Sequence, residues 1–448
     1  MKKILFLLLF PIILFAKDFD PDDYEDDVDK IIEASMKSNI GWERLEHLCN
    51  NYANRLSGTP QLERTIDWIY EEMHKDGLAN VQKQEVLVPN WKRHYESLKV
   101  VFPMEYDIQM LGLGGSIATP PEGITAEVLV VRDKDELDRR KDEVKGKIVL
   151  FNAPFTSYGK TVQYRFYGAQ WAAQYGAIAS LIRSVSPIGF DNPHTGMMAY
   201  NDSTAKIPHA AITLEGAELL QRYQDKGQKV SVTLTMHAKH YPDAISHNVM
   251  SEARGSKLAD EIISVGGHID AWDAGQGAHD DGGGCMSTWE AVRLINELGL
   301  DNKRTIRSVL WTNEENGAMG GKEYAKGFAK EKHAMAFEFD VGTFEPLFIR
   351  FTGSEEIFEQ VKKFEPLLQK INPKITVADG GGGVDIGPLM KTGVPGMSLS
   401  TDDQGKYFWY HHSPADTFDK VDEQDFKKCV AAIAVTLYLY SNLELEND

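Results

Sequence analysis

Residues 266–284 read GGHIDAWDAGQGAHDDGGG, and this stretch decides how the chain is organised. Just before it, Ile262 to Val265 is a short apolar run suited to a buried strand. Just after it, Cys285 to Leu298 carries a helical pattern. Strand, loop and helix in succession are the repeat of a layered α/β sheet. Ligands in such sheets collect beyond the carboxyl ends of the strands. His268 follows its strand at once and the pair Asp280-Asp281 lies in the loop, so both are candidates for chemistry. Adjacent carboxylates repel, and a cation is what lets both ionise. The three glycines that follow permit the unusual torsions needed to aim one of them. Asp270, two residues past His268, is placed to hold the other ring nitrogen. Taken singly, a core histidine and a solvated acidic turn explain these residues equally well.

The same pattern repeats downstream. Thr305 to Trp311 reads as a strand running into Thr312-Asn313-Glu314-Glu315. Met335 to Phe339 is another, with Asp340 at its end. Val394 to Ser400 is a third, followed by His411-His412-Ser413-Pro414-Ala415-Asp416. Neighbouring side chains point apart, so one glutamate of the pair can bind a metal while the other faces a water. Spacing alone leaves open which histidine of its pair is a ligand, and whether Asp416 orients a ring or caps a helix. Two imidazoles and three carboxylates form a donor set that zinc prefers. A further carboxylate is what a metal-activated water needs as its base. The spacing from Asp270 does not match a calcium-binding EF-hand loop. The last helix shows Phe426, Val430, Ile433, Leu437 and Tyr440 on one face.

Upstream, an acidic leader from Asp18 to Asp29 reads as mobile, with a helical region from near Val28. Ser57-Gly58-Thr59-Pro60 starts a helix whose Leu62, Ile66, Ile69 and Met73 repeat at helical spacing. Val81 to Val88 and Ser97 to Phe102 then read as strands. Gly112 to Gly123 is rich in Gly and Pro and marks a boundary. Beyond it, short strands and a helix near Gly168 to Gly176 extend to about His240 and contain none of the candidate residues. This part reads as a β-rich insert with its own core.

At the start, Met1-Lys2-Lys3, an apolar run from Ile4 to Phe15 and the small Ala16 have the form of a cleaved signal peptide. The expected location is therefore secreted or periplasmic. The run is too short to span a bilayer, and no later stretch is apolar enough to do so. The three cysteines, Cys49, Cys285 and Cys429, have none of the spacing of a disulfide scaffold and are expected to be free and buried. A net charge of −19 on 448 residues argues against nucleic acid or anionic lipid as partner.

The motifs resemble those of a zinc peptidase family that includes secreted di-zinc aminopeptidases, glutamate carboxypeptidases and the transferrin receptor. The resemblance runs over nearly all of the chain beyond the leader. It includes Arg55-Leu56-Ser57-Gly58, residues 119–131 (TPPEGITAEVLVV), Lys206-Ile207-Pro208, residues 266–284, residues 310–315 (LWTNEE) and residues 408–413 (FWYHHS). It implies a mixed-sheet, three-layer α/β/α zinc peptidase domain over 17–108 and 241–448. Residues 109–240 would be an inserted β-rich, lid-like protease-associated domain, and 1–16 the signal peptide.

Two zinc ions per chain are implied, His268 and Asp340 holding one, Glu315 and His412 the other, and Asp280 bridging. His412 is favoured over His411 because the family pattern is His, a small hydroxyl residue, two positions, then Asp. Glu314 takes the general-base position, Asp270 supports the ligands, and a cis peptide joins Asp280 to Asp281. The implied chemistry is hydrolysis of a small peptide with a free terminus, a dipeptide first of all, by a homodimer. An aminopeptidase on longer peptides and a non-catalytic receptor-like binding protein are the alternatives. The sequence departs from the family at His279, where an apolar residue is usual, and in the glycine run 380–383.

Overall fold

The computed structural model describes residues 19–444; the expected signal peptide at 1–16 lies outside the described residues. Two eight-stranded sheets organise the chain. The first has the order Ala79–Lys92, Lys239–Ala253, Arg304–Trp311, Leu258–His268, Lys332–Glu338, Gly396–Asp402, Glu345–Thr352 and Thr376–Asp379. Its four central strands, from Arg304–Trp311 to Gly396–Asp402, are mutually parallel, and antiparallel strands flank them. The sheet is thus mixed, and its parallel centre puts successive strand ends on one edge.

Alternation along the strands sends apolar side chains to both faces. Leu310, Met335 and Phe337 join a large core with the helices Pro60–Lys75, Gly283–Glu297 and Glu423–Ser441. Val309, Trp311 and Ala336 face the other way, against Tyr324, Ile386 and Leu389. These two cores make the three layers. The last helix buries far more than the one face expected. Ala431, Ala432 and Ala434 are all fully buried, because the helix lies beside Gly283–Glu297 and Glu25–Lys37 as well as the sheet.

The acidic leader differs from expectation too. Pro21–Tyr24 and Glu25–Lys37 are helical, with Val28 and Ile31 buried. The acids find partners: Lys370 pairs with Glu25 at 2.8 Å and Asp29 at 2.7 Å, and the Tyr438 hydroxyl donates to Asp27 at 2.7 Å.

The second sheet has the order Tyr106–Ile108, Glu96–Phe102, Ser231–Met236, Ile124–Val131, Ile148–Phe151, Ala179–Arg183, His209–Ile212 and Met110–Gly112. It therefore draws in Glu96–Phe102 and Tyr106–Ile108, ahead of the expected start at 109. Its strands from Ile124–Val131 to His209–Ile212 are parallel. The helix Tyr158–Ala173 connects Ile148–Phe151 to Ala179–Arg183, and Leu214–Asp225 leads from His209–Ile212 to the antiparallel Ser231–Met236, so this part of the chain combines helices with strands. Two separate apolar clusters line its faces. All three cysteines are free and buried. Among the described residues, no helix is long and apolar enough to cross a membrane.

Candidate metal centre

His268 is the last residue of Leu258–His268 and lies in register with Trp311 of the neighbouring parallel strand. The amide of Ile269 donates to the Trp311 carbonyl at 2.7 Å, which locks the two strand ends together. Glu314 and Glu315 follow Trp311, and Asp340 follows Lys332–Glu338 on the other side. Three adjacent strand ends therefore deliver four of the candidate residues to one edge of the sheet.

Asp280 and Asp281 come from the loop that opens Gly283–Glu297, and the peptide between them is cis, as the resemblance implied. Their side chains part. Asp281 turns inward, accepting the amides of His268 and Gly284, each at 3.1 Å. Asp280 turns into the cluster. The following glycines serve space rather than torsion: Gly282 and Gly283 are helical in φ and ψ. A Cβ on Gly283 would lie 1.8 Å from the Thr343 hydroxyl, and one on Gly284 would lie 2.0 Å from the Phe339 carbonyl oxygen.

The cluster has a definite arrangement. One oxygen of Asp280 lies 3.2 Å from His268 Nε2 and the other 3.2 Å from His412 Nε2. Asp340 Oδ1 is 3.5 Å from His268 Nε2, and Glu315 Oε2 is 2.9 Å from His412 Nε2. The second Glu315 oxygen accepts the Trp272 amide at 3.3 Å. His411 approaches Asp280 only to 3.8 Å and stacks on His412 with ring centres 3.6 Å apart. Geometry thus separates two histidines that spacing could not.

Supporting contacts differ from those expected. The Nδ1 of His268 faces the main-chain oxygen of Asp270 at 2.9 Å, whereas the Asp270 carboxylate is 3.8 Å away. That carboxylate instead accepts the Glu314 amide at 3.0 Å and the Ser57 hydroxyl at 3.1 Å. Asp416 neither orients a ring nor caps a helix; it accepts the amides of His279 at 2.8 Å and Asp280 at 3.1 Å. Burial pushes its carboxyl up to about 7. Arg55 is fully buried and donates to the carbonyls of Ile269, Gln276 and Gly277 at 2.6, 2.6 and 2.8 Å, so it ties both ends of the 269–277 loop. In the sequence, Arg55 and Ser57 stand out only as part of a motif. Their site role shows once the loops they hold are in place. His279 is sandwiched between Phe344 and Tyr410, and burial holds its ring neutral, down at about 4. The glycine run 380–383 ends beside Glu338, whose carboxylate accepts the amides of Val384 and Ile386, both at 2.9 Å.

Electrostatics point to a missing positive charge. Burial works to raise Asp280, but the His268 ring and the charges of the 411–412 pair hold it well below the usual range. Asp281 and Glu315 are pushed well up, first by burial and then by neighbouring carboxylates. Glu314 rises to about 8, through desolvation first and with Asp340 contributing. Asp280 Oδ2 and Asp340 Oδ1 are buried without a hydrogen-bond donor, although each faces an imidazole nitrogen. Nitrogens and oxygens converging without hydrogen bonds are what shared cations require. His268, Asp280 and Glu315 form one group able to hold an ion, as do His268, Asp281 and Asp340, and Asp280, His411 and His412. The donor set fits zinc.

Residues 248–437 match peptidase family M28. Carboxypeptidase Q of Mus musculus is 44% identical over 426 residues, which cover 94% of this chain and 90% of that protein. Carboxypeptidase Q of Homo sapiens is 46% identical over 409 residues, 91% of this chain and 86% of that one. The chain belongs to peptidase family M28. As an M28 member it is a metallopeptidase, and the cluster lies inside the matched span apart from its Ser57 and Arg55 supports. A crystal structure of an M28 peptidase precursor from Shewanella amazonensis superposes with a TM-score of 0.91 at 31% identity, covering 95% of this chain and 98% of that one. A zinc aminopeptidase from Bacillus subtilis shares the fold, with a TM-score of 0.68 at 20% identity, covering 90% and 95% of the two chains.

Proposed function

We propose that this M28 peptidase is a secreted di-zinc enzyme that hydrolyses dipeptides, or short peptides with a free terminus. One observation carries the two-ion reading: the two oxygens of Asp280 face two different imidazoles, each at 3.2 Å. A carboxylate placed so could serve both ions. His268 and Asp340 would hold one zinc, Glu315 and His412 the other. Bound zinc supplies Lewis acidity toward water and toward the scissile carbonyl.

The remaining work belongs to the chain's own residues. Glu314, partly exposed beside the cluster, is placed to take a proton from the attacking water and return it to the leaving amine. Asp270 fixes that glutamate by accepting its amide, while its main-chain oxygen fixes the His268 ring. Assembly as a homodimer belongs to the same reading. Leu87 and Ile245, cross-strand partners on the antiparallel pair at the sheet edge, are 54% and 50% exposed and offer it an apolar surface.

The test is hydrolysis of a panel of free, amine-blocked and carboxyl-blocked dipeptides with zinc present, together with metal analysis. Two zincs per chain and cleavage of free dipeptides support the reading. Calcium, no metal, or cleavage confined to long peptides refutes it. Loss of activity on blocking only the amine would make the enzyme an aminopeptidase.

A further inference from the structure

His268 and His412 are supported in opposite ways. The Nδ1 of His268 meets a carbonyl oxygen, the partner that a metal-bound imidazole ordinarily has, because donating N–H to an acceptor makes the ring a better ligand. The Nδ1 of His412 meets a guanidinium: Arg165 Nη1 lies 3.3 Å away. Arginine is a donor only and permanently charged. Arg165 comes from the insert helix Tyr158–Ala173 and is 6% exposed. Its other bonds run to the Thr195 carbonyl at 3.4 Å and the Tyr158 hydroxyl at 3.0 Å, and its Nε has no partner. Among the described residues no carboxylate lies within ion-pair distance of it. A buried cation with no carboxylate in ion-pair reach, set over the Tyr158 ring at 5.6 Å, therefore stands behind one candidate metal ligand of the pair.

The contact is held from outside the peptidase sheet. His412 has a φ of 59°, and its carbonyl accepts the Thr195 amide at 2.9 Å. His194 Nδ1 lies 2.7 Å from the His411 carbonyl, Ser186 donates to the Phe408 carbonyl at 2.8 Å, and Asn192 donates to the Ser413 hydroxyl at 2.8 Å. Gly196 leaves the room that the guanidinium fills, since a Cβ there would lie 2.4 Å from it. The insert thus fixes the ring and the cation against each other.

We propose that Arg165 makes the His412 half of the centre the weaker and more exchangeable of its two zinc sites. The inference rests on the ligand assignment given under Proposed function. A cation behind the ring withdraws electron density from the ligand nitrogen and repels a dication on its far side. It also denies Nδ1 the acceptor that a zinc-bound ring would donate to. Removing the charge should then tighten the site, whereas loss of a merely structural arginine would loosen it.

The experiment titrates metal-free enzyme with zinc against a chromogenic chelator. Wild type should show a tight and a weak class of one ion each. Arg165→Met should tighten the weak class by about tenfold or more, within the range by which groups behind a ligand alter metal affinity. Arg165→Lys, which keeps the charge, should stay near wild type. Glu315→Ala should remove the weak class and Asp340→Ala the tight one, a comparison that holds even if Arg165→Met fails to fold. Two equal classes, a weak class unchanged or loosened in Arg165→Met, or loss of the tight class in Glu315→Ala would overturn the inference while leaving a two-zinc enzyme. An enzyme that binds no zinc would instead remove the reading beneath it.

Discussion

The His268 and His412 halves of the centre are built on different principles. His268 ends a central parallel strand, is locked to Trp311 through the next residue, and is backed by the main chain of Asp270. What positions it belongs to the peptidase part of the chain: the strand ladder, the Asp281 carboxylate on its amide, and Arg55 on the next carbonyl. His412 sits on a loop, in left-handed backbone, and takes its position from hydrogen bonds that cross over from the insert. A ligand at a strand end is preorganised by the ladder behind it, whereas a loop ligand needs an outside clamp. Residues 158–196 therefore form part of the wall around His412. Their attachment is itself polar and buried: Arg93 joins the Asp273 carboxylate at 2.6 Å, the Thr195 hydroxyl at 3.2 Å and the Gly112 carbonyl.

In the proposed assignment Asp280 is the ligand common to both halves, so its loss should erase the contrast. Asp280→Ala is expected to lose both zinc classes and more than about 10³-fold of kcat/KM. Retention of a single tight ion would show the halves to be independent. Glu314→Gln should leave both zincs in place and lower kcat by about 10²–10⁴-fold. Undiminished turnover with full zinc would remove Glu314 as the base.

Acid should destabilise the fold around Arg165. His209 lies in the insert beneath Arg165, its Nε2 3.2 Å from the Arg165 carbonyl, and burial lowers it to about 4. An unfolded histidine titrates near ~6.5, so the unfolded chain binds the extra proton. The contribution to stability is complete above that pH and falls as pH drops toward about 4, by about 3 kcal/mol in all. Urea unfolding of metal-free protein at neutral pH and near pH 4.5 should show His209→Gln with a smaller acid loss than wild type. Equal losses would show that this ring does not titrate on unfolding. The mildest effect is expected of His194→Ala, which leaves the His411 carbonyl without its donor. Zinc titration should find the weak class loosened by about tenfold, equivalent to about 1.4 kcal/mol, with the tight class unmoved. A shift in the tight class would mean that the clamp serves both halves.

Much of this was legible in residues 258–340. His268, Glu314, Glu315 and Asp340 sit where apolar runs stop, and a run's end is visible without coordinates because strand length and burial write themselves into composition. The Asp280-Asp281 pair announced itself by charge, although the reason given for its glycines was wrong: they answer to close approach, not torsion. The carboxylates of Asp270 and Asp416 were expected to serve rings and a helix cap, and they hold main-chain amides instead. An acid near a histidine in sequence says little about which donor its oxygens reach. The acidic leader read as mobile because its partners, Lys370 and Tyr438, lie more than three hundred residues away.

By itself, the sequence determined the layered α/β class and the strand-end donor set, because both depend on local periodicity and residue type. Its motifs also supplied the resemblance that the matching relatives bear out. Only the tertiary structure decided that His412 rather than His411 touches both Asp280 and Glu315, that the second sheet begins at Glu96, and that Arg165 stands behind one ligand and a carbonyl behind the other. Apart from the turn behind His268, these are contacts between segments far apart in sequence. Chain order does not specify which of them meet; packing and the need to pair every buried polar group do.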